Sequence, residues 1–142
     1  MRATFFLIVF ICFSTSFVSC KKEPKKPEKG AYAGTFDGIY TTGSINVRYS
    51  TYYFFEIIHS TKKELKLKEE QSQLISTLKK HENDSISGII AFGNNFGSFS
   101  EIFIEGKYDE KTIIGTFSGT IIYVDASFLS EGSFTISPLL HQ

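Results

Sequence analysis

Residues 112–124, Thr-Ile-Ile-Gly-Thr-Phe-Ser-Gly-Thr-Ile-Ile-Tyr-Val, decide the fold. The odd positions carry Ile113, Gly115, Phe117, Gly119, Ile121 and Tyr123, and the even ones include Thr112, Thr116, Ser118 and Thr120. Side chains of a strand alternate between its two faces, so this stretch has one apolar and one hydroxyl-rich face, as a half-buried antiparallel strand requires. The same period extends outward. Ile102, Ile104, Gly106 and Tyr108 share a face opposite Glu101, Glu105 and Lys107. Gly132, Phe134 and Ile136 fall together, and Ile45, Val47 and Tyr49 alternate with Asn46, Arg48 and Ser50.

Turn-forming residues punctuate these runs at Thr42-Gly43, Glu82-Asn83-Asp84, Gly93-Asn94-Asn95 and Asp109-Glu110. The reading is about eight strands, at 34–41, 44–59, 63–68, 72–81, 85–93, 98–108, 111–124 and 129–137. Connections this short join antiparallel neighbours, which makes the chain an all-β antiparallel meander. One apolar face on every strand is buried by closing the meander into a small barrel or by folding it into a two-sheet sandwich. Residues 68–81 read as strand or helix, because Leu74, Ile75 and Leu78 fit either period. A Gly-Thr/Ser-Phe motif recurs at Gly34, Gly97, Gly115 and Gly132 and points to repeated strand geometry. Phe99 breaks the parity unless a bulge intervenes. Inward glycines at 88, 106, 115, 119 and 132 either relieve crowding where strands bend or leave a cavity.

With 42% hydrophobic and 15% aromatic residues, a chain of 142 residues carries a packed domain rather than a solvated low-complexity segment. Fifteen basic and fifteen acidic residues cancel. This lack of a basic footprint excludes nucleic acid as the expected partner. The cancellation hides three unlike segments. Residues 1–19 hold a single charge, Arg2. Residues 20–29, Cys-Lys-Lys-Glu-Pro-Lys-Lys-Pro-Glu-Lys, carry a net +3, and residues 30–142 carry −4.

In the first segment Arg2 precedes nine apolar residues, Phe5 to Phe13, and then Ser-Thr-Ser-Phe-Val-Ser. That run is too short to cross about 30 Å of hydrocarbon, and the order of basic start, apolar core and small exit reads as an export signal over 1–19. Phe17-Val18-Ser19-Cys20 resembles the lipobox of bacterial lipoproteins, with Phe17 standing where that family usually has Leu or a β-branched residue. The resemblance implies cleavage between Ser19 and Cys20, diacylglycerol on the Cys20 thiol, and three acyl chains in all. Cleavage would also remove Cys12 and leave no pair for a disulfide. Residues 20–29 then form a Lys/Pro-rich tether that cannot bury surface. Its lysines either attract anionic headgroups, at roughly 1 kcal/mol each near the surface, or simply keep the linker solvated. Lys21 follows the cysteine where inner-membrane lipoproteins often carry Asp. By that resemblance the anchor sits in the outer membrane and faces the periplasm, with surface display the alternative.

Motifs for catalysis are missing from the sequence. There is no phosphate-cradling glycine loop and no Gly-x-Ser-x-Gly elbow, and His59, His81 and His141 lack metal-ligand spacing. No cofactor, metal or enzymatic activity is expected. The meander is similar to small lipocalin-like barrels, which hold apolar ligands, although the chain has no Trp and so lacks their Gly-x-Trp signature. Two readings follow for a monomeric domain: a binding module for a small apolar ligand or an envelope protein, or an interaction lipoprotein whose interior is filled by Phe36, Ile104, Phe117 and Phe134. An enzyme ranks third. Two local features add to these. Tyr49, Tyr52, Tyr53, Phe54 and Phe55 occupy both faces of one strand, which places some rings outside. Asp84-Ser85-Ile86 matches a short O-glycosylation pattern of one group of Gram-negative bacteria, with Ser85 the acceptor.

Overall fold

Eight strands run antiparallel in chain order, and the first pairs with the last to close a barrel in the computed structural model, which describes residues 27–93, 99–123 and 126–139. They are β1 (Gly30–Thr42), β2 (Ile45–Ser60), β3 (Glu64–Glu69), β4 (Ile75–Lys80), β5 (Ser85–Gly93), β6 (Phe99–Tyr108), β7 (Ile113–Tyr123) and β8 (Ala126–Pro138). Closure removes the exposed edges that a sandwich would leave. The ambiguous stretch 68–81 is not helical: Lys68 and Glu69 end β3, a turn follows, and Ile75–Lys80 is β4. Glu69 imposes that turn. Its buried carboxylate accepts the Gln71 N–H at 2.8 Å, the Ser72 N–H at 2.6 Å and the Ser72 hydroxyl. The 82–84 turn is a short 3-10 segment in which Asn83 and Asp84 adopt the left-handed conformation that Asn and Asp tolerate best after glycine. The segment read as an export signal, with Ser19 and Cys20, and the Gly97 copy of the repeated motif lie outside the described residues. Phe99 is placed as backbone in β6 opposite Gly93, and the direction of its ring lies outside the description.

The core consists of the inward residues of all eight strands. Phe36, Phe55, Phe92, Phe117 and Phe134 form its centre, with Ile57, Leu65, Leu67, Leu78, Ile86, Ile90, Ile102, Ile104, Ile113 and Ile136 around them. Phe36 is the hub. Its ring lies 5.2 Å from Phe92, 5.7 Å from Phe117 and 5.7 Å from Phe134, the last pair stacked and the other two edge-to-face.

The repeated Gly-x-Phe motif acquires a meaning through register. On β7 and β8, Gly115 stands opposite Phe134 and Phe117 opposite Gly132. A Cβ at either glycine would run into backbone of the strand on its other side, the Glu105 carbonyl for Gly115 and the Asp37 carbonyl for Gly132, whereas a ring takes the place of the missing side chain at Gly34, beside Phe55, and at Gly38, beside Tyr49. One inward row around the wall reads Tyr49, Gly38, Gly132, Phe117, Ile104, Gly88 and Leu78, in which glycines make room for large residues. Gly38 and Gly132 also sit where β1 and β8 come unusually close. A Cβ on Gly132 would lie 2.6 Å from the Gly38 Cα and clash with the Asp37 carbonyl oxygen. The obstacle is backbone, which cannot swing aside, so glycine here relieves crowding at a bend rather than opening a cavity.

Gly132→Ala is accordingly expected to destabilise the barrel by about 2–3 kcal/mol, with the exposed neighbour Ser133→Ala within about 0.5 kcal/mol of wild type. Urea midpoints of the two variants check this.

Candidate functional site at the barrel mouth

The two ends of the barrel differ. The end that receives the chain before β1 also carries the β2–β3, β4–β5 and β6–β7 connections, and polar side chains close it from within. Lys80 is only 8% exposed; its ammonium donates to the Ser60 hydroxyl at 3.0 Å and the Thr61 carbonyl at 2.8 Å, and stands 4.9 Å from the Tyr108 ring centre. An amphipathic lysine can fill an apolar space with its stem and satisfy its head at the wall. Tyr32 is also buried and donates its hydroxyl to the Glu28 carbonyl at 2.9 Å.

The opposite end, ringed by the β1–β2, β3–β4, β5–β6 and β7–β8 connections, is a mouth. Pairing of β1 with β8 stops at Tyr40 opposite Ser130, whereas β7 and β8 stay paired as far as Tyr123 opposite Ala126. The two hairpins therefore part above Ser130. The Tyr40 ring lies tilted against Phe128 at 4.7 Å across the gap. The Ser130 hydroxyl lies 3.2 Å from the Ile39 carbonyl, to which it can donate, and 2.6 Å from the Tyr49 hydroxyl in a bond that either oxygen can donate. Elsewhere on the rim the Ser100 hydroxyl accepts the Ile122 N–H at 2.9 Å, just past the last β6–β7 pair.

Within this rim lies a cup of about 290 Å³. Its floor is Phe36, Phe92 and Phe117, and its walls include Tyr40, Tyr49, Tyr53, Ile102 and Ile121, with Thr51 and Ser100 supplying hydroxyls and Ser50 at the rim. Tyr53 and Phe92 stack at 4.0 Å. The floor is closed, because Phe36, Ile104, Phe117 and Phe134 are all at most 4% exposed. Among the described residues these side chains fill the centre of the barrel, and the cup lies above them toward the mouth. For scale, a dry cavity of about 150 Å³ accommodates a benzene, so the cup has room for one or two rings or a short chain. Burial pushes the Tyr49 and Tyr53 phenols above their ordinary value, with hydrogen bonds to Ser130 and Thr51 opposing the shift.

Other sequence candidates lie elsewhere. His59 approaches Glu64 at 3.4 Å on the exposed β2–β3 turn, and His81 bonds the Ser87 hydroxyl at 2.8 Å. Neither lines the cup. His141 is outside the described residues. Ser85 is half-buried and donates its hydroxyl to the Glu82 carbonyl at 2.9 Å. Tyr52 and Phe54 do point outward, 66% and 47% exposed, while Tyr49, Tyr53 and Phe55 turn in. On the outer wall a broad trough crosses five strands between two rows, Ser50-Asp37-Ser133-Thr116-Glu105 and Arg48-Ile39-Glu131-Ser118-Phe103. It is open to solvent along its length. Sequence reasoning missed Tyr40, Phe92, Ser100 and Ile121 as cup residues. Inward parity close to a turn is the signal that could have found Tyr40 and Ile121.

The buried phenols give a pH signature. A phenol whose folded pKa is raised stabilises the fold fully below its unfolded value of 10.0, and that stability is lost as pH rises through the raised folded value. Tyrosinate absorbance is expected to show a group of phenols ionising above the ordinary range, with Tyr53→Phe removing part of that late step and urea midpoints falling over the same interval.

No family model, curated protein or solved structure matches the chain.

Proposed function

We propose that the protein is an exported lipoprotein, anchored through acyl chains on Cys20 in the outer membrane facing the periplasm, whose barrel is a non-enzymatic binding module for a small apolar group. The observation that carries the binding reading is the aromatic cup at the mouth. A closed apolar floor, ring walls and a few hydroxyls are the ordinary composition of a small-molecule site. Its volume lies at the lower edge of such sites, which restricts the bound part to a ring or short chain. Among the described residues that line it there is no carboxylate or imidazole, so what they offer is burial and shape. The anchoring reading rests on the leader and on Ser19-Cys20. A second reading, an interaction lipoprotein with a filled barrel, is favoured by the packing of Phe36 against Phe92, Phe117 and Phe134.

Anilinonaphthalene sulfonate, titrated into the chain beginning at Lys21, separates the two. Saturable fluorescence enhancement is expected, and Ile121→Trp, which places a larger ring inside the cup, should weaken it at least tenfold, or about 1.4 kcal/mol. Absence of saturable binding, or indifference to the substitution, favours the filled-barrel reading. For the anchor, Cys20→Ala should abolish fatty-acid labelling and release the protein from the membrane fraction; unchanged labelling overturns that part.

A further inference from the structure

We infer that the anchored barrel stands on its closed end, with the cup opening into the aqueous compartment and away from the bilayer that holds it. The inference rests on the proposed anchoring at Cys20. The observation behind it is where the chain enters the fold. Pro27 is buried, the Glu28 carbonyl accepts the Tyr32 hydroxyl, and β1 is paired on both sides almost from its first residues, Gly30 with Ile57 and Tyr32 with Pro138. The Leu139 N–H bonds the Ala31 carbonyl at 2.9 Å and fastens the last strand to the same place. The tether is therefore fixed to the closed end at residue 27 and has no free play beyond it.

Length then decides orientation. Residues 20–26 number seven and reach at most about 25 Å when fully extended. The thirteen residues of β1 rise roughly 43 Å along the strand, or about 30 Å along the barrel axis at the usual tilt. To turn the mouth toward the anchoring leaflet, the tether would have to run the full height of the wall from closed end to rim. It is too short to do so. Charge acts in the same direction, since residues 30–142 carry a net −4 and anionic headgroups repel them while attracting the tether lysines. The ligand is then captured from water: an amphiphile dispersed in the aqueous phase, whose ring or short chain enters the cup while its polar part remains at the rim beside Ser50, Thr51 and Ser100. Lipid of the anchoring leaflet cannot reach the mouth.

The chain has no tryptophan, so a single introduced indole reports its own depth. The full-length lipidated protein is placed on vesicles containing nitroxide-labelled phosphatidylcholine, with Lys62→Trp at the closed end or Leu129→Trp at the mouth, both exposed positions. Quenching is expected to be at least threefold stronger for K62W than for L129W. A second pair, Lys111→Trp against Ile45→Trp, must give the same order. Equal or reversed quenching in protein that sediments with the vesicles overturns the orientation while leaving the anchor intact. Failure of the lipidated protein to sediment at all overturns the anchoring, and the orientation falls with it.

Discussion

An interlock of rings and glycines across neighbouring strands holds this barrel together. An eight-stranded barrel encloses a space just wide enough for side chains to fill. Ten of the chain's 15 Phe and all 7 Tyr fall within residues 30–142, and there is no Trp. Rings of this size cannot stand at every inward position. Gly115 faces Phe134, Gly132 faces Phe117, and Gly88 lies between Ile104 and Leu78. At Gly34 and Gly38 the rings of Phe55 and Tyr49 fill the space a side chain would take, while at Gly115 and Gly132 the missing Cβ lets the neighbouring backbone approach. Phe36 then touches five rings and locks the rows into one centre. Because edge-to-face and offset pairs each add about 0.5–1.5 kcal/mol beyond burial, this cluster is the densest source of stability in the molecule.

The strands were legible because period two is a local signal. Ile113 to Tyr123 announce their inward face without reference to any other strand. The choice between barrel and sandwich needed the pairing of Tyr32–Tyr40 with Ser130–Pro138, a contact between residues about a hundred positions apart that no window can display. The 68–81 ambiguity had a different origin. Leu74, Ile75 and Leu78 satisfy either period, and the deciding residue is Glu69, whose buried carboxylate captures Gln71 and Ser72 and so bends the chain. A carboxylate at an inward position after Leu65 and Leu67 was the visible anomaly. The Gly-x-Phe repeat was visible too, but its reason was not: the motif means little until antiparallel register sets each Phe opposite the other strand's Gly. The cup was the least legible feature. Its lining comes from five strands, β1, β2, β5, β6 and β7, and its emptiness depends on which rings already cover one another.

The same physics explains why the free volume lies at one end. At the closed end the strands stay paired to their last residues, so the space left over is narrow, and a single Lys80 stem with its head on Ser60 and Thr61 seals it. At the mouth, β8 leaves β1 at Ser130 and follows β7 alone. A widening tube cannot be filled by side chains of fixed length. The residues there respond by bridging its edges rather than its centre: Tyr40 leans on Phe128, Tyr49 reaches Ser130, and Ser100 takes the N–H of Ile122. The cup is what remains when the wall diverges above a floor of rings that can rise no higher. Its depth is therefore set by the height of Phe36, Phe92 and Phe117, and its width by the separation of two hairpins. A binding site made this way can be tuned by changing single wall residues without disturbing the core on which it rests.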